Sequence, residues 1–232
     1  MHDHKIREQV LEACHGMAAY GLGPGIGGHV SIRIPGKNLY YCNAFDRTME
    51  EMRLEDILLI DFDGNVLMSD REISLGLTFH AGIYQQRENV GAIVHTHGFW
   101  GTAQACFGRP PRQFNNLTTF FYERTCVSPN DDFEAIGPAL RDHDIAIVIP
   151  WHGVITVGAD IAEAASLHVA YDYAARLDVT LPAHTPVLPH EQCLELCAMV
   201  TRAGYLRHTW ELIRRRARDC YDGKRVTPRI AA

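Results

Sequence analysis

The chain has 232 residues, of which 47% are hydrophobic and 22% charged, and its formal net charge is −6. Length and composition suit one globular domain with a substantial core, and the acidic balance argues against a general nucleic-acid binder. No run approaches the ~20 apolar residues that a membrane helix needs. The opening "MHDHKIREQ" lacks the apolar stretch of a signal peptide, so a cytoplasmic protein is expected. Seven scattered cysteines without a Cys-x-x-Cys pair are no disulfide framework and suit a reducing compartment. Cys193 and Cys197, one helical turn apart, read as buried small residues rather than a redox pair or soft metal ligands.

In chain order, apolar residues at 6, 10, 11, 14, 17 and 18 predict a first helix ended by Gly21. "GLGPGIGGHVSIR" is a glycine-rich loop entering a strand. It lacks the strand-to-helix context of a dinucleotide loop and the lysine of a P-loop, so it is weak as a nucleotide site. "NLYYCN" reads as a second strand and "ILLIDFDGNVLM" as a hairpin about Asp63-Gly64. "LTFHAGIYQQRE" predicts an amphipathic helix over 77–88, which runs towards the strand "VGAIVHTH". "FWGTAQACF" turns helical again, and "DIAIVIPWHGVITVG" gives two strands broken at Pro150 to Gly153. A long helix follows, with Asp160 as its cap. Residues 189–221 are helical with breaks, and Arg214, Arg215, Arg216 and Arg218 read there as a solvated face. Interleaved helices and strands without linker or repeat predict a single α/β domain over 1–232, with a C-terminal helical tail from about 189.

Histidine is the unusual residue, with 13 copies. In "VHTHGFW", His95 and His97 flank Thr96 and therefore share one strand face. His152, in "PWHGV", stands at the junction of two apolar strands, where an unpaired imidazole is costly. A divalent metal is one partner for three such groups, and three protein ligands leave positions open as catalytic sites do. Hydrogen-bonded strand-end histidines are the alternative that spacing alone leaves open.

"GGHVSIR", "FHAGIYQQRENVGAIVHTHGFWGTAQAC" and "IVIPWHGVITVG" with the Ala-rich helix after it together resemble the class II aldolase/adducin family. The resemblance runs from about residue 5 to about residue 180. It implies a three-layer α/β/α domain around a largely antiparallel sheet. It also implies one divalent metal per subunit on His95, His97 and His152, and a homotetramer with active sites between neighbouring subunits.

The chain departs from the sugar-phosphate aldolases of that family at two places. Their catalytic glutamate lies four residues before a helix histidine, which is His80 here, and that place holds Gly76; Glu72 lies four residues earlier still. Gly28-His29 stands for their Gly-Asn, and "CNAFDRTMEEM" for their Thr-Pro-Ser/Thr-Gly loop, so the usual phosphate donors are absent. These departures resemble the adducin-like branch and its aminocoumarin-pathway oxygenases. The favoured expectation is a non-haem Fe(II) oxygenase that oxidatively decarboxylates a small 2-oxo or 2-hydroxy acid. A redox-neutral Zn(II) or Mn(II) lyase, either aldolase or decarboxylase, is the alternative. A non-catalytic adducin-like binding protein is the remote one.

Further candidates surround the three ligands. His29 is an acid/base or carboxylate partner, or else caps a strand end. Tyr122, in "NNLTTFFYERT", is a candidate proton donor, because family members place an interface loop near the metal there. Arg33 could fork onto a substrate carboxylate or sit in a surface salt bridge, and Asn43 could bond substrate or hold a turn. Phe99 and Trp100 suit either a wall for an aromatic substrate or core packing. The expected partner is a small carboxylic acid, with no nucleic acid and no membrane.

Overall fold

The structure, a computed structural model, describes residues 2–68, 71, 73 and 75–221. Glu72 lies outside the described residues. Helix α1 (His2–Ala19) buries Val10, Ala13, Cys14 and Met17 on one face. It is followed by Gly21 in the left-handed region at φ +72°, where a side chain would be strained. Strands β1 (His29–Arg33), β2 (Leu39–Asn43) and β3 (Ile57–Asp61) precede helix α2 (Thr78–Gln86) and strand β4 (Ala92–Thr96). Then come α3 (Phe99–Ala105), β5 (Thr125–Val127), α4 (Phe133–Ala139), β6 (Ala146–Ile149) and β7 (Gly153–Gly158). Helices α5 (Ile161–Thr180), α6 (His190–Arg202) and α7 (Tyr205–Tyr221) complete the described chain.

The seven strands make one sheet in the order β3-β2-β1-β4-β7-β6-β5. All pairs are antiparallel except β5 with β6. Helices cover both faces, so central β4 is buried at every residue and reads as a continuous apolar run rather than an alternation. Its neighbouring residues serve opposite layers. Val94 packs with Val10, Met17, Ile161 and Ile213 of α1, α5 and α7. Ile93 packs with Phe79 and Ile83 of α2, Ile136 of α4, and Ile155. The three-layer α/β/α domain around a largely antiparallel sheet is therefore the observed architecture.

Three local differences from the sequence reading have physical causes. The helix over 77–88 is not amphipathic, because Phe79 through Tyr84 are all buried between the sheet and α4. The hairpin about Asp63-Gly64 has a short second arm: Val66 bridges Ile60, with backbone bonds from Asp61 N–H to the Asn65 carbonyl (3.1 Å) and from Leu67 N–H to the Leu59 carbonyl (2.8 Å). Strand β5 and helix α4 are too short, at 3 and 7 residues, to leave a periodic pattern, and α4 contains Pro138. The tail helices pack on the body. Trp210 and Ile213 of α7 are buried, Arg214 donates to Glu12 (2.9 Å), and the Arg216 guanidinium lies 4.1 Å above the Tyr20 ring. Part of the basic cluster is thus engaged within the chain. All seven cysteines are free. Among the described residues no helix is long and apolar enough to cross a membrane.

One buried charge fastens the segment after α3. Asp178, near the end of α5, has no exposed side-chain surface and accepts hydrogen bonds from Arg109 (2.7 Å) and Arg112. Burial alone would raise its carboxyl, but the two guanidiniums outweigh it and hold the group below the usual carboxylate range. Gln104 of α3 donates to the carbonyl of Arg109 (2.8 Å) and accepts from Tyr171 of α5 (2.7 Å).

Candidate metal centre

Three segments meet at one end of the central strands. His95 is the last residue but one of β4, with His29 of β1 opposite it on one side and Ile155 of β7 on the other. His97 follows where β4 ends, before Gly98 starts α3. His152 closes the turn between β6 and β7. Its N–H donates to the Ile149 carbonyl (3.1 Å), and Trp151 before it takes the left-handed region at φ +60°.

The imidazoles of His95, His97 and His152 converge. The Nε2 atoms of His95 and His97 are 3.1 Å apart, and those of His97 and His152 2.9 Å. One ligand atom from each lies within 4.8 Å of the others, the only such group of His, Cys, Asp or Glu among the described residues. Tetrahedral metal–nitrogen bonds of 2.0–2.1 Å imply nitrogen–nitrogen edges of about 3.3 Å, near the two short Nε2 pairs, so the set is of a size to hold a small divalent ion. The protonation pattern fits as well. His95 Nδ1 is 2.9 Å from the Val154 carbonyl, which can only accept, so Nδ1 carries the hydrogen and Nε2 presents its lone pair. Burial, with the neighbouring His29 and His97, holds His95 well below the ordinary imidazole range. Burial and then His152 lower His97 too, against the opposing charge of Asp131. Neutral imidazoles are the form that ligates.

A surrounding shell of hydrogen bonds ties the ends of these strands to α5. Thr96 Oγ1 bonds His168 Nε2 (2.8 Å), and His168 Nδ1 bonds Thr156 Oγ1 (2.9 Å), tying β4 and β7 to α5. Burial pushes His168 down to about 3, so it is neutral at ordinary pH. Gly153 lets the two strands close behind the imidazoles. A Cβ there would lie 2.7 Å from the Thr96 carbonyl oxygen, 3.3 Å from His97 Cδ2 and 3.5 Å from His95 Cε1. The nearest obstacle is backbone, so it cannot swing aside. Gly153→Ala should therefore part β4 from β7 at this end. The expected outcome is a loss of about 1–3 kcal/mol in thermal unfolding, with zinc affinity weakened at least about tenfold in a chelator competition. Unchanged affinity would mean that the ligand positions do not depend on this contact.

The other candidates fall in different places. His29 is buried (4% exposed), with its ring centroid 5.5 Å from those of His95 and His80, and neither of its nitrogens has a partner among the described residues. Burial first, then the neighbouring His80, holds it well below the ordinary range. Asn43 is spent on backbone. It accepts from Val30 N–H (2.7 Å) and donates to the carbonyls of Gly28 (2.9 Å) and Ala44 (3.2 Å), so it holds the loop before His29. Arg33 is at the far end of β1, beyond the pairing of Ile32 with Ala92. It donates to the Tyr84 carbonyl (2.9 Å) and lies over Phe62, so within its own chain it does not face the imidazoles.

Tyr122 also lies away from the imidazoles. It precedes β5, whose Thr125 pairs with Ala146 at the start of β6, whereas His152 follows the end of β6. Its hydroxyl shares a hydrogen bond with His190 Nδ1 (2.9 Å). Phe99 is 70% exposed, and Trp100 turns towards α5, where Arg176 lies 5.5 Å from its ring centroid. Only Phe99 is left free to line an opening.

Two neighbours escaped the sequence reading. A Cβ on Gly27 would lie 3.4 Å from His97 Cε1 and 4.0 Å from Phe45 Cε2, so Phe45 borders the centre. Asp131, between β5 and α4, has Oδ1 3.8 Å from His152 Nδ1. No local signal in "SPNDDF" marks it; only the parallel pairing of β5 with β6 carries that loop to the end where His152 sits. A groove of about 600 Å³ between α1 and α7 shares no residue with the imidazole cluster.

The chain has known relatives in sequence and in fold. The family described as class II aldolase and adducin N-terminal domain matches residues 8–179, and the chain belongs to that family. Among its relatives is an L-fuculose phosphate aldolase of Methanococcus maripaludis, 29% identical over 159 residues, covering 66% of this chain and 84% of that protein. A 5-methylthioribulose-1-phosphate/5-deoxyribulose-1-phosphate aldolase of Rhodospirillum rubrum is 28% identical over 207 residues, covering 82% and 90%. In fold, the chain is similar to the L-fuculose 1-phosphate aldolase of Glaciozyma antarctica. The TM-score is 0.82 at 22% identity, over 95% of this chain and 91% of that one.

Proposed function

We propose that the chain is a metal-dependent lyase that makes or breaks a C–C bond beside the carbonyl of a small chelating 2-oxo or 2-hydroxy acid. The observation that carries this reading is the convergence of three imidazole nitrogens within 4.8 Å, beside a buried histidine whose two nitrogens have no partner among the described residues. His95, His97 and His152 would hold the ion, which when bound supplies Lewis-acid stabilisation of enolate charge. His29 would bond a substrate oxygen, since a buried polar ring without a partner is costly until a ligand supplies one. The family relatives named above are aldolases, and their reactions are redox-neutral, which puts the lyase ahead of the oxygenase favoured by sequence.

The acid, rather than a sugar phosphate, is supported by the loop after β2. Asn43 is fully engaged, Asp46 takes Arg71 (3.2 Å), Arg47 turns to Asp56, and Thr48 donates to Glu51 (2.9 Å). Acidic groups already occupy the donors that a phosphate would need. The second reading, a non-haem Fe(II) oxygenase, draws on the absence of any carboxylate from the three-histidine set, which suits Fe(II) as well as Zn(II) or Mn(II). The homotetramer belongs to the same proposal, because Tyr122 could meet imidazoles only across a subunit contact.

The test is turnover of a panel of 2-oxo and 2-hydroxy acids and sugar phosphates, after loading with Zn(II), Mn(II) or Fe(II), with and without oxygen. Cleavage of an acid that persists without oxygen is the expected result. Strict dependence on Fe(II) and oxygen would put the oxygenase in its place, and cleavage confined to sugar phosphates would overturn the substrate class. A chain that takes up no metal and turns over nothing would leave the adducin-like binding protein.

A further inference from the structure

Among the three candidate ligands, His95 has its second ring nitrogen on a backbone carbonyl, and His152 has a carboxylate near its own. The Nε2 of His152 faces His97, which leaves Nδ1 pointing outward, and Asp131 stands there with Oδ1 at 3.8 Å. Both side chains are about one-third exposed, at 33% and 31%, so a small rotation closes that gap to a hydrogen bond. The same carboxylate fills a second role in space. A Cβ on Gly76 would lie 3.0 Å from Asp131 Oδ2 and 3.3 Å from His29 Cε1. The backbone before α2 therefore leaves room for a carboxylate that comes from the β5–α4 loop instead.

We propose that Asp131 is a positioning residue of the metal centre: it takes the Nδ1–H of His152 in the space that Gly76 leaves open, and so aims the Nε2 lone pair at the ion. The assignment rests on the metal-centre reading above. A ligand imidazole whose distal N–H is held by a carboxylate is fixed in tautomer and ring orientation and becomes a better donor. His95 obtains the same service from the Val154 carbonyl, which is rigid backbone. His152 sits on a turn, with the left-handed Trp151 before it, and the loop carboxylate supplies the hold that its own strand lacks. The arrangement makes residues 76 and 131 mutually exclusive as carboxylate carriers. A glutamate at 76 would press a second negative group against Asp131, in contact that is already tight at Cβ.

The test is a double-mutant cycle read by metal affinity in chelator competition with Zn(II), and by the visible absorption spectrum of the Co(II)-loaded protein. Asp131→Ala should weaken zinc binding about 10–100-fold and shift the Co(II) bands, while Asp131→Glu recovers most of the affinity. Gly76→Glu alone should also weaken binding, and Gly76→Glu combined with Asp131→Ala should bind more tightly than the sum of the single losses. Thermal unfolding of the metal-free variants separates misfolding from lost positioning. Asp131→Ala with wild-type affinity and an unchanged Co(II) spectrum overturns the assignment but leaves the three-histidine centre standing. A wild-type chain that takes no zinc or cobalt overturns both.

Discussion

His152→Ala should yield protein that folds, holds no divalent metal and turns over nothing. The side chain is about one-third exposed and sits on a turn, so its loss opens no cavity in the core. What it removes is a corner of the proposed ligand set. Two imidazoles remain, His95 near the end of β4 and His97 just past it, with their Nε2 atoms 3.1 Å apart. Catalytic sites with three protein ligands do not tolerate that subtraction as an outer-shell change is tolerated. Loss of an outer-shell partner costs about 10–100-fold in affinity, and loss of a ligand should exceed it. Elemental analysis after metal loading, with thermal unfolding of the metal-free protein as control, gives the answer. Full metal content in the variant would remove His152 from the ligand set.

Asp178→Ala is the second large effect, and it acts on stability. The carboxylate has no exposed surface and balances two guanidiniums, so its removal leaves Arg109 and Arg112 without their counter-charge. Breaking a buried pair by deleting one partner costs about 3–5 kcal/mol. Here the arginine side chains are 39% and 23% exposed and can turn partly to water, which places the expected loss near the lower end, about 3 kcal/mol. The Arg109 segment is fastened to Gln104 of α3, and α3 starts directly after His97 and Gly98, so slackening should also reach the metal end. Chemical denaturation of the metal-free protein measures the first effect. A loss under about 1 kcal/mol would class the pair with surface ion pairs.

Much of the architecture was legible because it is local. The caps, breaks and apolar runs that place β4, β6, β7 and α5 lie within a few residues of the elements they define, as with Asp160, whose side chain accepts from Glu163 N–H (2.9 Å). The same-face pair His95 and His97 follows from strand periodicity alone. Short β5 and α4 were not legible, because seven residues interrupted by proline and three residues of strand carry no period. The burial of α2 on both sides was equally hidden, since its pattern does not say that α4 will cover its outer face.

By itself, then, the sequence determined the α/β class, the family resemblance, and the convergence of His95 and His97 on one strand face. Tertiary structure decided which other residues share that end of the sheet. Arg33 and Tyr122 lie four residues along β1 from His29 and just before β5, respectively, and strand direction carries both away from the imidazoles. Asp131 and Phe45 come from segments with no local mark, and the pairing of β5 with β6 and the Gly27 turn bring them in. The physical reason is that side-chain alternation is a property of one strand, whereas strand order and direction are settled by packing two helical layers against the whole sheet. Gly76 shows the difference best: in the chain it reads as a missing carboxylate, and in the fold it is the space beside Asp131.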